Sequence, residues 1–231
     1  MAEGASYPDT GALPGEIPLF PLPGVLLLPG GQLPLNIFEP RYLNMTIDAL
    51  GQGRIIGMIQ PSPVAGETAR DPDPRERPAL YPAGCAGRIV SFSETGDGRL
   101  LITLLGLSRF RLAEELPMAK GYRRARVDYA PFADDLAAST PGAAAAVDRA
   151  RLLRAADVFF KARGLNADAG SLDGAPDDLV VTTLAMVCPF DVREKQALLE
   201  AATLPARATL LTQLLEMAAL GTAAAPDGTA H

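Results

Sequence analysis

Apolar and polar positions alternate with a period of two in several segments of the first half of the chain, a pattern that predicts β-strands. The predicted strands are 32–38, 54–60, 87–95 and 99–107. Pro34 interrupts the first of them and predicts an edge strand or a bulge, because proline cannot donate to a β-ladder. Gly96-Asp97-Gly98 separates the last two and predicts a tight hairpin, since these residues accept the positive φ of such turns. One helix is predicted among the strands, from Pro40 to Gly51.

The second half of the chain has apolar residues at helical spacing, which predicts four helices packed on their apolar stripes. The predicted helices span 140–164, 177–187, a segment that starts after Asp191, and 204–220. Asp191 and Glu194 have the spacing of a capping box, with Asp in place of the usual Ser or Thr. Gly164 and Gly221 are expected to end the first and the last helix. Strands followed by helices indicate an α+β protein.

These patterns divide the chain into four predicted parts. They are a disordered N-terminus 1–15, a β domain 16–132, a helical bundle 133–221 and a disordered tail 222–231. Within the β domain, residues 61–82 contain six prolines and charges of both signs, which predicts a long loop. Loops of this length are often functional, and a binding role and a filler role are both open for this one.

Residues 17–38 carry no charged side chain, yet the segment is not expected to span a membrane. It contains five prolines and three glycines. Each proline in a helix interior costs about 3 kcal/mol, so a continuous membrane helix is excluded. The segment is expected to form short extended pieces and turns buried in a core.

Composition argues against an enzyme. The chain of 231 residues contains one histidine, which is the terminal residue His231, and two cysteines, Cys85 and Cys188. A Ser-His-Asp or Cys-His arrangement would depend on that chain end. Neither a Gly-Lys phosphate-binding loop nor a Gly-x-Ser-x-Gly nucleophile elbow is present in the sequence. We expect no catalytic residue, no metal site and no cofactor.

The formal net charge of −6 disfavours a dedicated nucleic-acid binder. The main basic concentration comprises Arg109, Arg111, Arg123, Arg124 and Arg126. A solvated strand face is favoured for these residues over a phosphate-binding patch. The first residues lack the basic and apolar regions of a signal peptide, and the cysteine content gives no disulfide framework. A cytoplasmic location is therefore expected.

Five motifs, in this order along the chain, resemble the N-terminal substrate-binding domain of the Lon protease family. They are Pro18-Leu-Phe-Pro-Leu-Pro-Gly24 with Ile37-Phe-Glu-Pro-Arg-Tyr42, then Gly84-Cys-Ala-Gly-Arg-Ile-Val90, Gly106-Leu-Ser-Arg-Phe110, Gly121-Tyr-Arg-Arg-Ala-Arg-Val127 and Glu194-Lys-Gln-Ala-Leu-Leu-Glu200. The resemblance implies a PUA-like β pseudo-barrel followed by a small C-terminal helical bundle. Since the family's ATPase and protease motifs are missing, we expect a stand-alone member without those modules.

The resemblance implies a non-catalytic module that recognises unfolded or apolar polypeptide segments. The residues expected to contact polypeptide are Pro23, Val25, Leu26, Leu27 and Leu28. Such a protein could serve as an adaptor, a holdase or a regulator that competes for clients, with a Lon-type protease or another quality-control component as partner. An RNA-binding role of the PUA-like fold is the first alternative, and a small-molecule or structural role is the second. A monomer or weak dimer is expected.

Overall fold

The computed structural model describes residues 13–62, 78–136, 147–165, 169–172 and 174–223. The strands in these ranges are β1 Glu16–Pro21, β2 Gln32–Ile37, β3 Ile55–Pro61, β4 Leu80–Glu94, β5 Leu100–Ala119 and β6 Tyr122–Asp128. The α-helices are α1 Pro40–Gly51, α2 Arg149–Ala162, α3 Asp177–Val187, α4 Val192–Glu200 and α5 Leu204–Ala223. Short 3-10 helices cover Ala130–Asp135 and Ala169–Leu172.

The six strands form one mixed sheet in the order β2-β5-β4-β3-β1-β6. β1 and β3 pair in parallel, and the other pairs are antiparallel. β6 pairs with both β1 and β5, so five strands close into a barrel. Two strands pair with the same side of the long strand β5: β2 pairs with its first part, and β6 pairs with its last part. β2 is therefore an edge strand attached to a closed barrel.

The barrel core consists of inward-facing side chains from β1, β3, β4, β5 and β6. It includes Ile17, Leu19, Ile55, Ile59, Leu107, Phe110, Ala125 and Val127. Phe110 is fully buried because small residues leave room for its ring: a Cβ atom at Gly57 would lie 3.1 Å from it. A side chain at Gly84 would also meet the Phe110 ring. Glycines on the neighbouring strands thus allow a large aromatic ring inside a narrow barrel.

The chain forms two compact units, and α4 belongs mainly to the first of them. The first unit contains residues 1–140 and 189–199, and the second contains residues 141–188 and 200–231. In the second unit, α2 and α3 both pack against α5. Its core side chains are Leu152, Ala156, Phe159, Phe160, Val181, Leu184, Ala208, Leu211 and Leu215.

The predicted α+β class, with a closed β part and later helices, is confirmed. The edge position predicted from Pro34 is confirmed, because β2 lies at the end of the sheet order. Strand β4 begins at Leu80, before the predicted segment 87–95, and β5 continues to Ala119, beyond the predicted segment 99–107. The prediction that Gly221 ends the last helix is wrong: α5 continues to Ala223, since one glycine costs a helix only about 1 kcal/mol.

The predicted domain boundaries at 16–132 and 133–221 stay a prediction, and the compact units divide the chain differently at 189–199. Of the predicted loop 61–82, residues 63–77 lie outside the described residues, while Pro61 ends β3 and Leu80 begins β4. The predicted start of the first bundle helix at 140 also lies outside them. The described helix α2 begins at Arg149, and the Asp148 side chain accepts a hydrogen bond from the Arg151 N–H. Of the predicted disordered N-terminus 1–15 and tail 222–231, residues 1–12 and 224–231 also lie outside the described residues. Leu13 is buried in the barrel core, and residues 222 and 223 belong to α5.

Candidate functional site

The segment 22–31, between β1 and β2, crosses the barrel as an irregular strap held at both ends. At its start, the Leu22 N–H donates to Ile59 O at 3.1 Å. At its end, the Gly30 N–H donates to Gly106 O at 2.9 Å, and the Gly106 N–H donates to Gly31 O at 2.8 Å. This close approach requires glycine at 106, because a Cβ atom there would clash with the carbonyl oxygen of Leu28. The apolar segment thus follows a path fixed by backbone contacts.

The five residues predicted to contact polypeptide lie in this strap, and they differ in accessibility. Leu26, Leu27 and Leu28 are buried, with Leu28 fully inaccessible. Pro23 is exposed and Val25 is half-buried. The binding role of the five residues stays a prediction, and in this conformation only Pro23 and Val25 offer surface to a ligand.

Helix α4 is attached to the barrel by polar side chains of the Glu194-Lys195-Gln196 motif. The Asp191 N–H donates to Glu194 Oε2 at 2.8 Å, and the Glu194 N–H donates to Asp191 Oδ1 at 2.8 Å. This reciprocal pair is the predicted capping box. The buried ammonium group of Lys195 donates to Gly24 O at 2.8 Å. The first two residues of the motif thus fix the helix start and its contact with the strap.

Two buried glutamines complete the attachment of α4. Gln60 Nε2 on β3 donates to Val192 O and to Gln196 Oε1, both at 3.1 Å. Gln60 Oε1 accepts from the Gly24 N–H at 3.2 Å, and Gln196 Nε2 donates to Ala83 O at 3.2 Å. Each amide group therefore bridges separate parts of the chain, and the Gln196 position has a structural role.

The Arg-Phe pair of the Gly106–Phe110 motif also has a structural role. The Arg109 guanidinium forms two hydrogen bonds of 2.8 Å with Asp135, and the side chains of both residues are nearly buried, at 5% and 10% exposure. Arg109 Nη1 also donates to Leu199 O at 3.1 Å, and its guanidinium carbon lies 4.6 Å from the centre of the Phe132 ring. Arg109 joins β5, the Ala130–Asp135 turn and the end of α4.

Four of the five basic residues that could have formed a phosphate-binding patch, Arg109, Arg123, Arg124 and Arg126, are paired with carboxylates. Arg123 Nε donates to Glu115 at 2.9 Å and Arg126 Nη1 donates to Glu114 at 2.6 Å. Glu16 accepts from both Arg124 and Arg126. These pairs follow from the register, which places β6 between β1 and β5. Neutralised strand arginines do not favour RNA binding.

A shallow polar cleft of ≈ 200 Å³ lies between the N-terminal half of β1 and the end of α1. In it, Asp48 accepts from Lys120 Nζ at 2.6 Å and from the Tyr122 hydroxyl at 2.9 Å. Both hydrogen bonds lower the pKa of Asp48, and the bond from Lys120 has the larger effect. Burial is the main cause that raises the pKa of Tyr122, and the hydrogen bond to Asp48 raises it further. Because Asp48 is already paired with Lys120 and hydrogen-bonded to Tyr122, these groups give no indication of a ligand in the cleft.

Two exposed apolar side chains, Phe38 directly after β2 and Leu101 on β5, lie on one face of the sheet. They are exposed by 61% and 46%, and we call them the apolar rim. Val90 and Phe92 on β4 are also exposed, by 47% and 51%.

The strand register decides which exposed apolar side chains share a face. Leu101 lies opposite Asn36 on β2, and Phe38 comes two residues after Asn36, so Leu101 and Phe38 point to one face. The guanidinium of Arg99, two residues before Leu101, lies 5.8 Å from the Phe38 ring centre. Phe92 lies opposite Ile102, the residue after Leu101, so it points to the other face. Val90 falls in an irregularity of the β4–β5 ladder between Ile89 and Ser91.

The sequence reasoning missed the apolar rim. Its members have the residue types of core positions, and only their location at strand ends distinguishes them. The one usable signal was Phe38, a large apolar residue immediately before the charged Glu39-Pro40-Arg41 sequence.

Among the residues that the structure describes, no three side chains of His, Cys, Asp or Glu converge on a point that a metal ion could occupy. None of the helices formed by these described residues has the length and apolar character needed to cross a membrane.

Comparison with known proteins identifies the family. Residues 16–217 match the model of the ATP-dependent protease La (LON) substrate-binding domain. The chain belongs to this family, and the resemblance seen in its motifs is confirmed.

Individual relatives agree with this assignment. Lon protease 2 of Myxococcus xanthus is 29% identical over 209 residues, which cover 88% of this chain and 24% of that protein. This chain therefore spans about a quarter of the length of the curated Lon proteases that it matches.

Two solved structures share the fold. The Lon N-terminal domain protein from Xanthomonas campestris has a TM-score of 0.54 and 23% identity over 87% of this chain and 96% of its own. The N-terminal domain of the Mycobacterium avium complex Lon protease has a TM-score of 0.58 and 13% identity, over 87% of this chain and 97% of its own.

Proposed function

We propose that this protein binds unfolded or apolar polypeptide segments, without any chemical step, and that the apolar rim is the main contact surface. The observation that carries the proposal is the exposure of Phe38 and Leu101 on one face of the sheet, where β2 and β5 pair. Unfolded chains differ from folded ones by exposing apolar side chains, so a receptor for them needs an accessible apolar surface. Membership of a substrate-binding domain family supports the same assignment.

The size of the apolar rim suits weak and promiscuous binding. Its two side chains are about half exposed, and fully burying one large apolar side chain gains about 1.5–3 kcal/mol. Ordering a flexible client offsets much of that gain. We therefore expect weak binding, with little dependence on the client's sequence.

The predicted strap residues enter the proposal only where they are accessible. Pro23 and Val25 are a secondary contact in this proposal, while Leu26, Leu27 and Leu28 support the strap from inside. A Pro23→Ser/Val25→Ser variant should weaken binding less than a variant of the apolar rim.

The place of the protein in the cell is part of the proposal as well. A non-catalytic binding module in the cytoplasm could deliver clients to a Lon-type protease, hold them, or compete with the protease for them. These roles differ in one simple readout: adding the protein to such a protease speeds client degradation in the first case and slows it in the other two.

The test is a fluorescence-anisotropy titration of a labelled, permanently unfolded polypeptide with this protein. The wild-type protein should give saturable binding that moderate salt does not weaken, because apolar contacts are not screened. A Phe38→Ser/Leu101→Ser variant should bind at least about fivefold more weakly, which corresponds to about 1 kcal/mol.

The matched control is Ile47→Ser, which changes an exposed apolar residue of α1, on the part of the barrel formed by β1, β3 and β6. It should bind like the wild type. Equal affinities for the wild type and both variants would exclude the apolar rim, and no saturable binding at all would exclude the function. Labelled RNA is the parallel probe: binding of RNA alone, with a steep salt dependence, would establish the RNA-binding alternative.

A further inference from the structure

We propose that a client segment binds as an added β-strand along the free edge of β2, so that recognition includes the client's main chain. This inference rests on the proposed function and specifies its binding mode.

The hydrogen bonds at Gly106 reveal which residues of β2 face β5. The Gly106 N–H donates to Gly31 O, and the register continues from there through Gln32 opposite Leu105 and Leu33 opposite Leu104. In an antiparallel ladder, residues two apart point their main-chain groups to the same side. Leu33, Leu35 and Ile37 therefore have the parity of Gly31 and bond to β5. The main-chain groups of Gln32, Pro34 and Asn36 point away from it.

The proline at position 34 is consistent with main-chain groups that point away from β5. A proline in the bonded set would remove a ladder hydrogen bond, whereas at an outward position its missing N–H removes only an edge donor. The outward set then consists of two donors, the N–H groups of Gln32 and Asn36, and three acceptors, the carbonyl groups of Gln32, Pro34 and Asn36.

These outward groups have no protein partner among the residues that the structure describes. In those ranges β2 pairs with β5 alone. All three outward residues are exposed. Proteins commonly prevent pairing of an edge strand with another chain by placing charged residues on it, but no charged residue occurs between Gln32 and Phe38. Within the strand, only Pro34 opposes such pairing.

An extended polypeptide is the ligand that complements this edge. Donors and acceptors that recur every second residue, about 6.6 Å apart, match another extended main chain. Such pairing is independent of the client's sequence, as a receptor for unfolded proteins requires. The apolar rim begins where β2 ends, because Phe38 is the next residue in sequence, so a side chain at that end of an added strand would reach Phe38.

The first test changes one edge donor without changing the side-chain surface by much. Asn36→Pro removes the outward N–H and places a ring in the path of an added strand, while Asn36→Ala keeps the N–H. The extended conformation of Leu35 is compatible with a following proline. Asn36→Pro should weaken binding of a labelled unfolded polypeptide by about three- to tenfold, and Asn36→Ala by less than about twofold. Equal affinities for the two variants, with unchanged circular dichroism, would overturn the proposal.

The second test changes the ligand, so it does not depend on how a variant folds. The probe is a labelled synthetic peptide of about ten alternating apolar and polar residues. One version is N-methylated at alternate residues within its central part, and a second carries the same number of methyl groups at its ends. The centrally methylated peptide should bind at least about tenfold more weakly than the unmodified one, and the end-methylated peptide should bind nearly as well.

The outcomes separate this inference from the proposed function. If the unmodified and both methylated peptides bind equally, strand addition is wrong while polypeptide binding stands. If the unmodified peptide does not bind, the proposed function fails. The β2 edge could instead pair with a second copy of this chain, which sedimentation of the wild type and of Asn36→Pro tests. If the wild type is a dimer, and Asn36→Pro is a monomer with unchanged peptide affinity, the edge is a dimer interface and the proposal is overturned.

Discussion

The buried ion pair between Arg109 and Asp135 gives a sharp prediction for the stability of the barrel unit. Arg109→Met removes the guanidinium at similar volume and leaves the Asp135 carboxylate, only 10% exposed, without the two hydrogen bonds of 2.8 Å that neutralise it. It also removes the bond from Arg109 Nη1 to Leu199 O. Breaking such a pair from one side costs about 3–5 kcal/mol, because the remaining charge stays buried.

The assay is urea unfolding followed by far-UV circular dichroism, since the chain has no tryptophan. With a slope of about 2 kcal/mol per molar urea, a loss of about 4 kcal/mol lowers the midpoint by about 2 M. The double variant Arg109→Met/Asp135→Asn removes the buried charge. Its asparagine oxygen can still accept the hydrogen bond from the backbone N–H of residue 109, which donates to Asp135 at 2.9 Å in the wild type. The double variant should therefore be clearly more stable than Arg109→Met alone.

Arg126→Met is the matched control. Arg126 pairs with Glu114 and Glu16, but the three side chains are 53%, 59% and 47% exposed. Removing this surface pair should change the free energy of unfolding by less than about 1 kcal/mol. The reasoning is refuted if Arg109→Met costs no more than Arg126→Met, or if adding Asp135→Asn makes Arg109→Met worse.

Two further predictions concern the strap and the polar cleft. Gly106→Ala should lower the free energy of unfolding by about 2–3 kcal/mol, because the added methyl group clashes with Leu28 O; an unchanged urea midpoint would contradict the close approach. The hydrogen bonds from Lys120 and Tyr122 lower the pKa of Asp48 in the folded protein. The stability that Asp48 contributes is therefore present above its unfolded pKa of about 3.9, and it is lost as the pH falls through the lower folded pKa. The difference in stability between the wild type and Asp48→Asn should accordingly shrink in strong acid. A difference that stays constant from neutral pH to about pH 2 would show that Asp48 does not titrate in this way.

Local sequence signals predicted the elements well where the deciding contacts are close in the chain. Pro34 marked β2 as an edge strand, Pro40 and Gly51 bound α1, and Asp191 with Glu194 placed the start of α4. Each of these signals depends on the residue's own backbone or on neighbours within one helical turn.

Contacts between distant residues were not predictable in this way. Gln196 reaches Gln60 and Ala83 on β3 and β4, so α4 stabilises the barrel unit, although its apolar spacing only indicated a helix. Likewise, the apolarity of Leu26–Leu28 indicated burial or binding equally well. The glycines that decide in favour of burial, including Gly106, lie far along the chain.

Hydrogen–deuterium exchange, with and without a saturating unfolded polypeptide, would show whether the polypeptide binds at the apolar rim and the β2 edge. We expect slower exchange at the outward amides of Gln32 and Asn36, which have no protein partner among the described residues of the free protein. Residues 99–101 should also gain protection, while α1 should exchange as before. Protection confined to other surfaces, or none under conditions where the polypeptide is bound, would show that the polypeptide does not bind there.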